Sequence, residues 1–300
     1  MTLHDLVSLH LKVQKLRVGR ELRLIQLYGV EEYDRMKKRL KTKAKVRSEL
    51  LNKTRVKDPV TVSVYEQLLT VENNLGDEIK KRAESHPAWP WLQRVKGCGY
   101  ENTMKVIGLI DGMKEKVEIT KAEYERMRKE GANVIERVVK GKRTYYHYTG
   151  RCGLAVFSTV SKLWKYAGLH VVDGHAPRRT KGAVLDWNCE LRTMCWRLAR
   201  SLIRARGVYY QEYLKAKEGY LARFKGKVVK SKKGVKVPEG CISLKHLDNM
   251  AGRKMIKLWL AHLWEVTRKA QGLPVRASYV VEKLGHHYIP PLVDEERVGT

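Results

Sequence analysis

The chain has 300 residues, 43% of them hydrophobic, and its 61 Lys and Arg against 32 Asp and Glu leave a net charge of +29. That is apolar content enough to bury a core. So large a positive surplus repels itself unless a polyanion shares the surface, which makes nucleic acid the default partner, although a ribosomal, chromatin-like or membrane-surface role fits the same number.

Several classes are excluded. No apolar run reaches the length of a membrane span, and His4, Asp5, His10 and Lys12 interrupt the first residues where a secretory segment would be apolar. The expectation is a soluble, cytoplasmic and nucleoid-associated protein with no membrane partner. The five cysteines, Cys98, Cys152, Cys189, Cys195 and Cys241, form no Cys-x-x-Cys pair, so a structural zinc site is not expected. His286 and His287 adjoin, but neighbours cannot both face one tetrahedral centre without a bend, and they read as solvated or packed.

In chain order, residues 1–58 read as a basic helical region, with "LVSLHLKVQKL" at helical spacing and eleven Lys or Arg against the single acid Glu49 between positions 35 and 57. This is either a solvated helix face or a phosphate-tracking arm. Asp58-Pro59 breaks the pattern, and a long helix over 61–85 sets Val64, Leu68, Val71, Leu75 and Ile79 at steps of three and four. Such a stripe suits either packing within one chain or a homo-oligomer. Pro87 and Pro90 end it, and a Gly-x-Gly turn follows, so 59–112 reads as a long helix plus a helix-hairpin-helix.

Residues 113–155 read as an insertion. Thr120 with Glu123 is a capping-box pair that starts a helix ending near Gly131, and β-branched and aromatic residues on either side of Gly141 predict a β-hairpin. Between 137 and 151 that hairpin carries five cations, three tyrosines and no acid, which suits either stacking on unpaired bases or covering its own domain. Residues 156–272 are helical in character. In "NCELRTMCWRLARSLIRARG", Leu191, Cys195, Leu198 and Leu202 share one face and Arg197, Arg200 and Arg204 the other. Six lysines over 225–237 read as a mobile loop or short hairpin. A final long helix over about 243–271 packs through Met255, Trp259, Leu263 and Val266, and 273–300 is an irregular tail. The whole is a mostly α, multi-helical fold with a long helical N-terminal arm, a helix-hairpin-helix motif and a small inserted β-hairpin.

The run Val95-Lys96-Gly97-Cys98-Gly99 has the form of a helix-hairpin-helix turn. Both glycines tolerate positive φ, and without Cβ atoms they let the backbone approach a phosphate while amides at the next helix N-terminus point outward. Lys96 and Lys105 flank the turn, and Asn102 or Thr103 is the expected cap of the helix after it. A tight helix–helix turn needs glycine for its own sake, so the motif by itself leaves both uses open.

The segments "LLTVENNLGDEIKKRAESHPAWPWLQRVKGCGYENTMKVIGLIDG", "SKLWKYAGL", "DWNCELRTMCWRLARSLI" and "AGRKMIKLWLAHLWEVTR", together spanning about residues 60–270, resemble the C-terminal half of the Piv/MooV-related, bridge-RNA-guided insertion-sequence transposases. The resemblance implies DNA transposition or recombination in a mobile element, with DNA as the partner and a structured RNA as the alternative. It implies DNA-backbone contacts from Lys96, Gly97, Gly99, Thr103 and Lys105 on the hairpin and from Arg178, Arg179 and Lys181 in the basic loop. Asn188, Arg192, Arg197, Arg200 and Arg204 follow on the next helix. Two departures bear on catalysis. Residues 1–57 offer Asp5, Glu21, Glu31, Glu32, Asp34 and Glu49 on helical stretches, with no strand ending in an Asp, so the family's RuvC-like carboxylate cluster is not read here. A cofactor is therefore not evident, with Mg²⁺ implied only if the protein is catalytic. The loop "HVVDGHAPRRTKGAVLDWN" lacks the family's serine, and Thr180 is its one hydroxyl, a β-branched alcohol without an evident base. Asp173 and His175 suit either acid–base work or a solvated loop, and Ser158 and Ser161 are expected to cap the helix that ends in "KYAGL".

Overall fold

The computed structural model describes residues 1–40, 42–130, 135–140, 143–172, 174–230, 236–277, 279–283, 285 and 287–294. The fold is mostly α, as the periodicities predict, and divides into two compact units, Met1–Arg82 and Ala83–Thr300.

The first unit holds α1 (Leu3–Tyr28), α2 (Val30–Arg39), α3 (Lys43–Arg55) and most of α4 (Pro59–Glu84). Thr2 and Asp5 cap α1 reciprocally, and Asp58 caps α4 by accepting from the Thr61 amide at 2.9 Å, with Pro59 in the first helical position. The interruption at Asp58-Pro59 is thus a helix start. Val62 and Tyr65 of α4 pack with Leu24, Met36, Val46, Leu50 and Leu51, so the long helix shares a core with the basic helices. The partly buried Arg17 guanidinium meets the Glu72 carboxylate, to which Gln14 also donates at 2.7 Å. Burial works against the Arg17 charge, and its hydrogen bond and charge attraction to Glu72, together with Tyr65 and Glu21, more than reverse that, raising its pKa.

The second unit opens with α5 (Trp89–Leu92), the hairpin at 93–99 and α6 (Tyr100–Asp111). Residues 103–110 are buried without exception, so α6 is a central helix and not an amphipathic one. The insertion forms an antiparallel sheet of β1 (Lys114–Ile119), β2 (Ile135–Lys140) and β3 (Arg143–Cys152) in the order β1-β3-β2, with α7 (Lys121–Lys129) between the first two strands. The capping box at Thr120 and Glu123 forms as its spacing predicts, and β2 pairs with β3 on either side of Gly141, which itself lies outside the described residues. Strand β1 was not expected. It adds to β3 with Val117 opposite Tyr148 and Ile119 opposite Tyr146, while Tyr146 lies 4.9 Å from the Tyr124 ring of α7.

Beyond a single 3-10 turn come α8 (Val160–Tyr166), α9 (Cys189–Ala205) and α10 (Val208–Arg223). The two-residue strands β4 (Val228–Val229) and β5 (Ile242–Ser243) pair in parallel ahead of α11 (Leu244–Ala270), and the one-turn α12 (Tyr279–Glu282) follows. Thr159, and neither Ser158 nor Ser161, is the N-cap residue of α8, and no side chain caps that helix. Leu191, Cys195, Leu198 and Leu202 of α9 are buried, as are Met255, Trp259 and Leu263 of α11, whereas Val266 is partly exposed. No helix among the described residues is long and apolar enough to cross a membrane.

Candidate nucleic-acid interface

Only one of the hairpin glycines has positive φ. Gly97 sits at +95°, and a Cβ there would lie 2.9 Å from Leu202 Cα and 3.0 Å from Ala205 Cβ. Its carbonyl accepts from Ser201 Oγ at 3.0 Å. The glycine therefore seats the turn directly on the backbone of α9. Gly99 has an extended φ of −71°, faces open space and is the N-cap residue of α6, a place expected of Asn102 or Thr103.

Several hairpin residues are not disposed as their sequence positions imply. Thr103 is 0% exposed and Lys105 1%, because α6 is buried all round; the Lys105 ammonium meets Glu101 at 3.0 Å. Neither side chain is available to a ligand. Lys96 is exposed, but its amide donates to Asp294 Oδ2 at 2.7 Å, while Asp294 Oδ1 accepts from the Val208 amide at 3.0 Å. An internal carboxylate thus already satisfies the turn amide and the α10 N-terminus. Hydrogen bonds from Trp91 Nε1 to the Leu292 carbonyl at 2.9 Å and from His262 Nε2 to the Ile289 carbonyl at 3.0 Å hold this tail segment. His262 Nδ1 in turn accepts from the Tyr209 hydroxyl at 2.6 Å.

The "KYAGL" turn and the start of α9 build a second assembly. Gly168 has φ +65°, and a Cβ there would stand 2.6 Å from the Trp187 ring. That close approach lets Trp187 lie against Arg192, whose guanidinium is 4.8 Å from the ring centroid. Arg192 Nη1 donates to the Pro177 carbonyl at 2.7 Å, so it fixes the stem of the basic loop. Asn188 caps α9 through Oδ1, which accepts from the Leu191 amide at 2.9 Å, and its Nδ2 donates to the Tyr166 hydroxyl at 3.0 Å. It positions the helix and has no amide group aimed at a ligand. In the loop, Arg178, Arg179, Thr180 and Lys181 are all exposed.

A groove of about 1410 Å³ runs between the basic loop, α8, α9, α10, α11 and the tail. It gathers Arg178, Arg192 and Arg200 from the predicted set and adds Arg253 and Lys257 of α11, which were not anticipated. Their partners are neutral. Arg253 Nη2 donates to the His170 carbonyl at 2.6 Å, and the Lys257 ammonium sits 4.2 Å over the Trp164 ring. Burial lowers the pKa of Arg192, of Arg253 and of Lys257; Arg192 lowers Arg253 further, and Arg253 lowers Lys257 further. No carboxylate among the described residues forms an ion pair with any of the three. The rim differs. Arg200 and Lys217 share Asp248 at 2.9 and 3.1 Å, Lys215 meets Glu212 at 2.7 Å, and Lys269 meets Glu265 at 2.6 Å. Arg197 and Arg204 are exposed on α9 and do not line the groove, and neither do Lys96, Gly97 and Gly99.

No side-chain hydrogen bond reaches the Thr180 hydroxyl among the described residues, so no base is placed to activate it. Asp173 lies outside those residues, as does His286. Cys98 accepts from Trp259 Nε1 at 3.2 Å, and burial pushes its thiol up to about 12, which removes it as a nucleophile. Among the described residues no three His, Cys, Asp or Glu side chains converge as metal ligands would. Compared with protein-family models, with curated proteins and with solved structures, the chain matches none.

Proposed function

We propose that the protein binds nucleic acid, DNA in the first instance, through its sugar–phosphate backbone, and that it does so as a DNA-handling protein of transposase descent, in transposition or recombination. The observation that carries the reading is the trio Arg192, Arg253 and Lys257. Partly buried cations held by two carbonyls and an aromatic face are oriented but not neutralised. Charge so placed costs stability unless an anion completes it. A row of phosphates supplies that anion, and the exposed Arg178, Arg179 and Lys181 extend the positive surface beyond the groove mouth.

Contacts of this kind position a backbone without reading bases, so binding depends steeply on salt and weakly on sequence. Fluorescence anisotropy with two labelled duplexes of unrelated sequence tests this. The logarithm of the affinity falls linearly with the logarithm of salt concentration, with a slope of about −5 if the trio and the three loop cations each neutralise a phosphate. Affinity that persists unchanged at several-fold higher salt contradicts backbone binding.

A further inference from the structure

Resting on the polyanion reading of the groove, we propose that its ligand is an unpaired nucleic-acid strand, with a base stacked on Trp196. Phosphates alone account for the uncompensated cations and leave the apolar lining unexplained. Trp196 is 56% exposed and lines the groove, where Val171 at 59% and Tyr288 at 53% are also open to solvent. Exposed apolar side chains beside unneutralised charge call for a ligand with both an anionic and a planar apolar part.

The arrangement on α9 fits a strand. Arg192, Trp196 and Arg200 follow one another at intervals of four residues, so they share one face at one-turn spacing. Arg192 is fixed by Trp187 and the Pro177 carbonyl. Arg200 lies 5.5 Å from the Trp196 centroid and is held by Asp248 at 2.9 Å, which braces the indole. An uncompensated guanidinium and an open indole therefore stand one turn apart on the helix, offering an extended strand a phosphate contact and a stacking face, while Arg200, already neutralised by Asp248, holds the indole in place. In a duplex the base faces are stacked within the helix and cannot reach Trp196. A second copy of this chain would bring a further +29 onto the cations, and an acidic peptide offers charge without a planar face.

The test measures binding of a short labelled oligodeoxynucleotide, the RNA of the same sequence, an abasic strand of equal phosphate number and the blunt duplex. Wild type is compared with Trp196→Ala and Trp196→Phe. The intact strand is expected to bind more tightly than the abasic strand and the duplex. Trp196→Ala is expected to weaken the intact strand about tenfold while leaving the other two within about twofold, and Trp196→Phe to restore most of the loss. DNA and RNA share the chemistry, and whichever binds more tightly identifies the source. Equal binding of intact and abasic strands overturns the stacking proposal while a persistent salt dependence leaves the backbone reading standing; so does an equal effect of Trp196→Ala on every probe, or displacement by polyglutamate as effective as by the strand itself. Salt-independent binding, or none, to every probe defeats both. Melting curves of the two variants that overlay wild type show that the exposed indole is not a folding determinant.

Discussion

The two units handle positive charge in opposite ways. In Met1–Arg82 the partly buried guanidinium of Arg17 is met by Glu72 and by Glu21 at 2.8 Å, and much surface charge is paired across helices, Arg23 with Asp58 and Arg55 with Glu66 among them. In Ala83–Thr300 the partly buried Arg192, Arg253 and Lys257 meet only neutral groups. The densest run of cations in the sequence, 35–57, belongs to the first unit. Charge density along the chain therefore does not mark the strongest candidate surface; desolvated charge without a counter-ion does.

Breaking the pairing in the first unit gives the largest effect. The double variant Glu21→Ala/Glu72→Ala strands Arg17 in a partly buried site and is expected to destabilise the protein by about 4 kcal/mol, read by denaturant unfolding. Nucleic-acid affinity measured below the shifted transition stays unchanged, which separates structural charge from binding charge.

The hairpin glycines sharpen the comparison within the second unit. Gly97→Ala forces a side chain into positive φ and against the α9 backbone, at a cost of about 3 kcal/mol. Gly99→Ala, at an open N-cap, costs less than about 1 kcal/mol. Equal costs in thermal unfolding would show that the turn does not depend on its seat against Leu202.

Acid should weaken the second unit through its histidines. Burial lowers His86 to about 4, and its Nδ1 accepts from the Ala88 amide at 3.1 Å. Burial also lowers His262. The unfolded chain then binds protons below about pH 6.5 that the folded chain refuses, so stability is full above that pH and falls down to about pH 4. The His86 share of that loss is on the order of 3 kcal/mol. Unfolding measured across this window tests the sign, and His86→Gln flattens the slope.

Much of the fold was legible because it is written in local patterns. The Thr120 capping box, the strands around Gly141 and the limits of α11 follow from spacing within one element, whereas the predicted stripe of α4 holds only at Ile79: Val71 is exposed, and the helix packs on its neighbours through Val62 and Tyr65. Strand β1 was hidden because "KEKVEI" alternates charge with few apolar residues and is ordered by its partner β3. The site was legible in part. Arg178 and Arg192 do line the groove, but Thr103 and Lys105 lie inside, since proximity to a glycine turn does not reveal that α6 is buried on every side. Asp294 acts from nearly two hundred residues away in sequence, with no local signal. Arg253 and Lys257 left a faint trace: cations four apart on one helix share a face and repel one another slightly, but α11 carries several other charges that mask the pair.

The most direct measurement compares wild type with the double variant Arg253→Gln/Lys257→Gln, recording duplex affinity against salt and unfolding free energy on the same samples. Removing two uncompensated cations is expected to weaken binding about thirtyfold at moderate salt and to reduce the salt slope by about 2, while stability holds or rises by about 1 kcal/mol. Undiminished affinity with an unaltered slope, or a large loss of stability in the double variant, contradicts the claim that these cations await a polyanion.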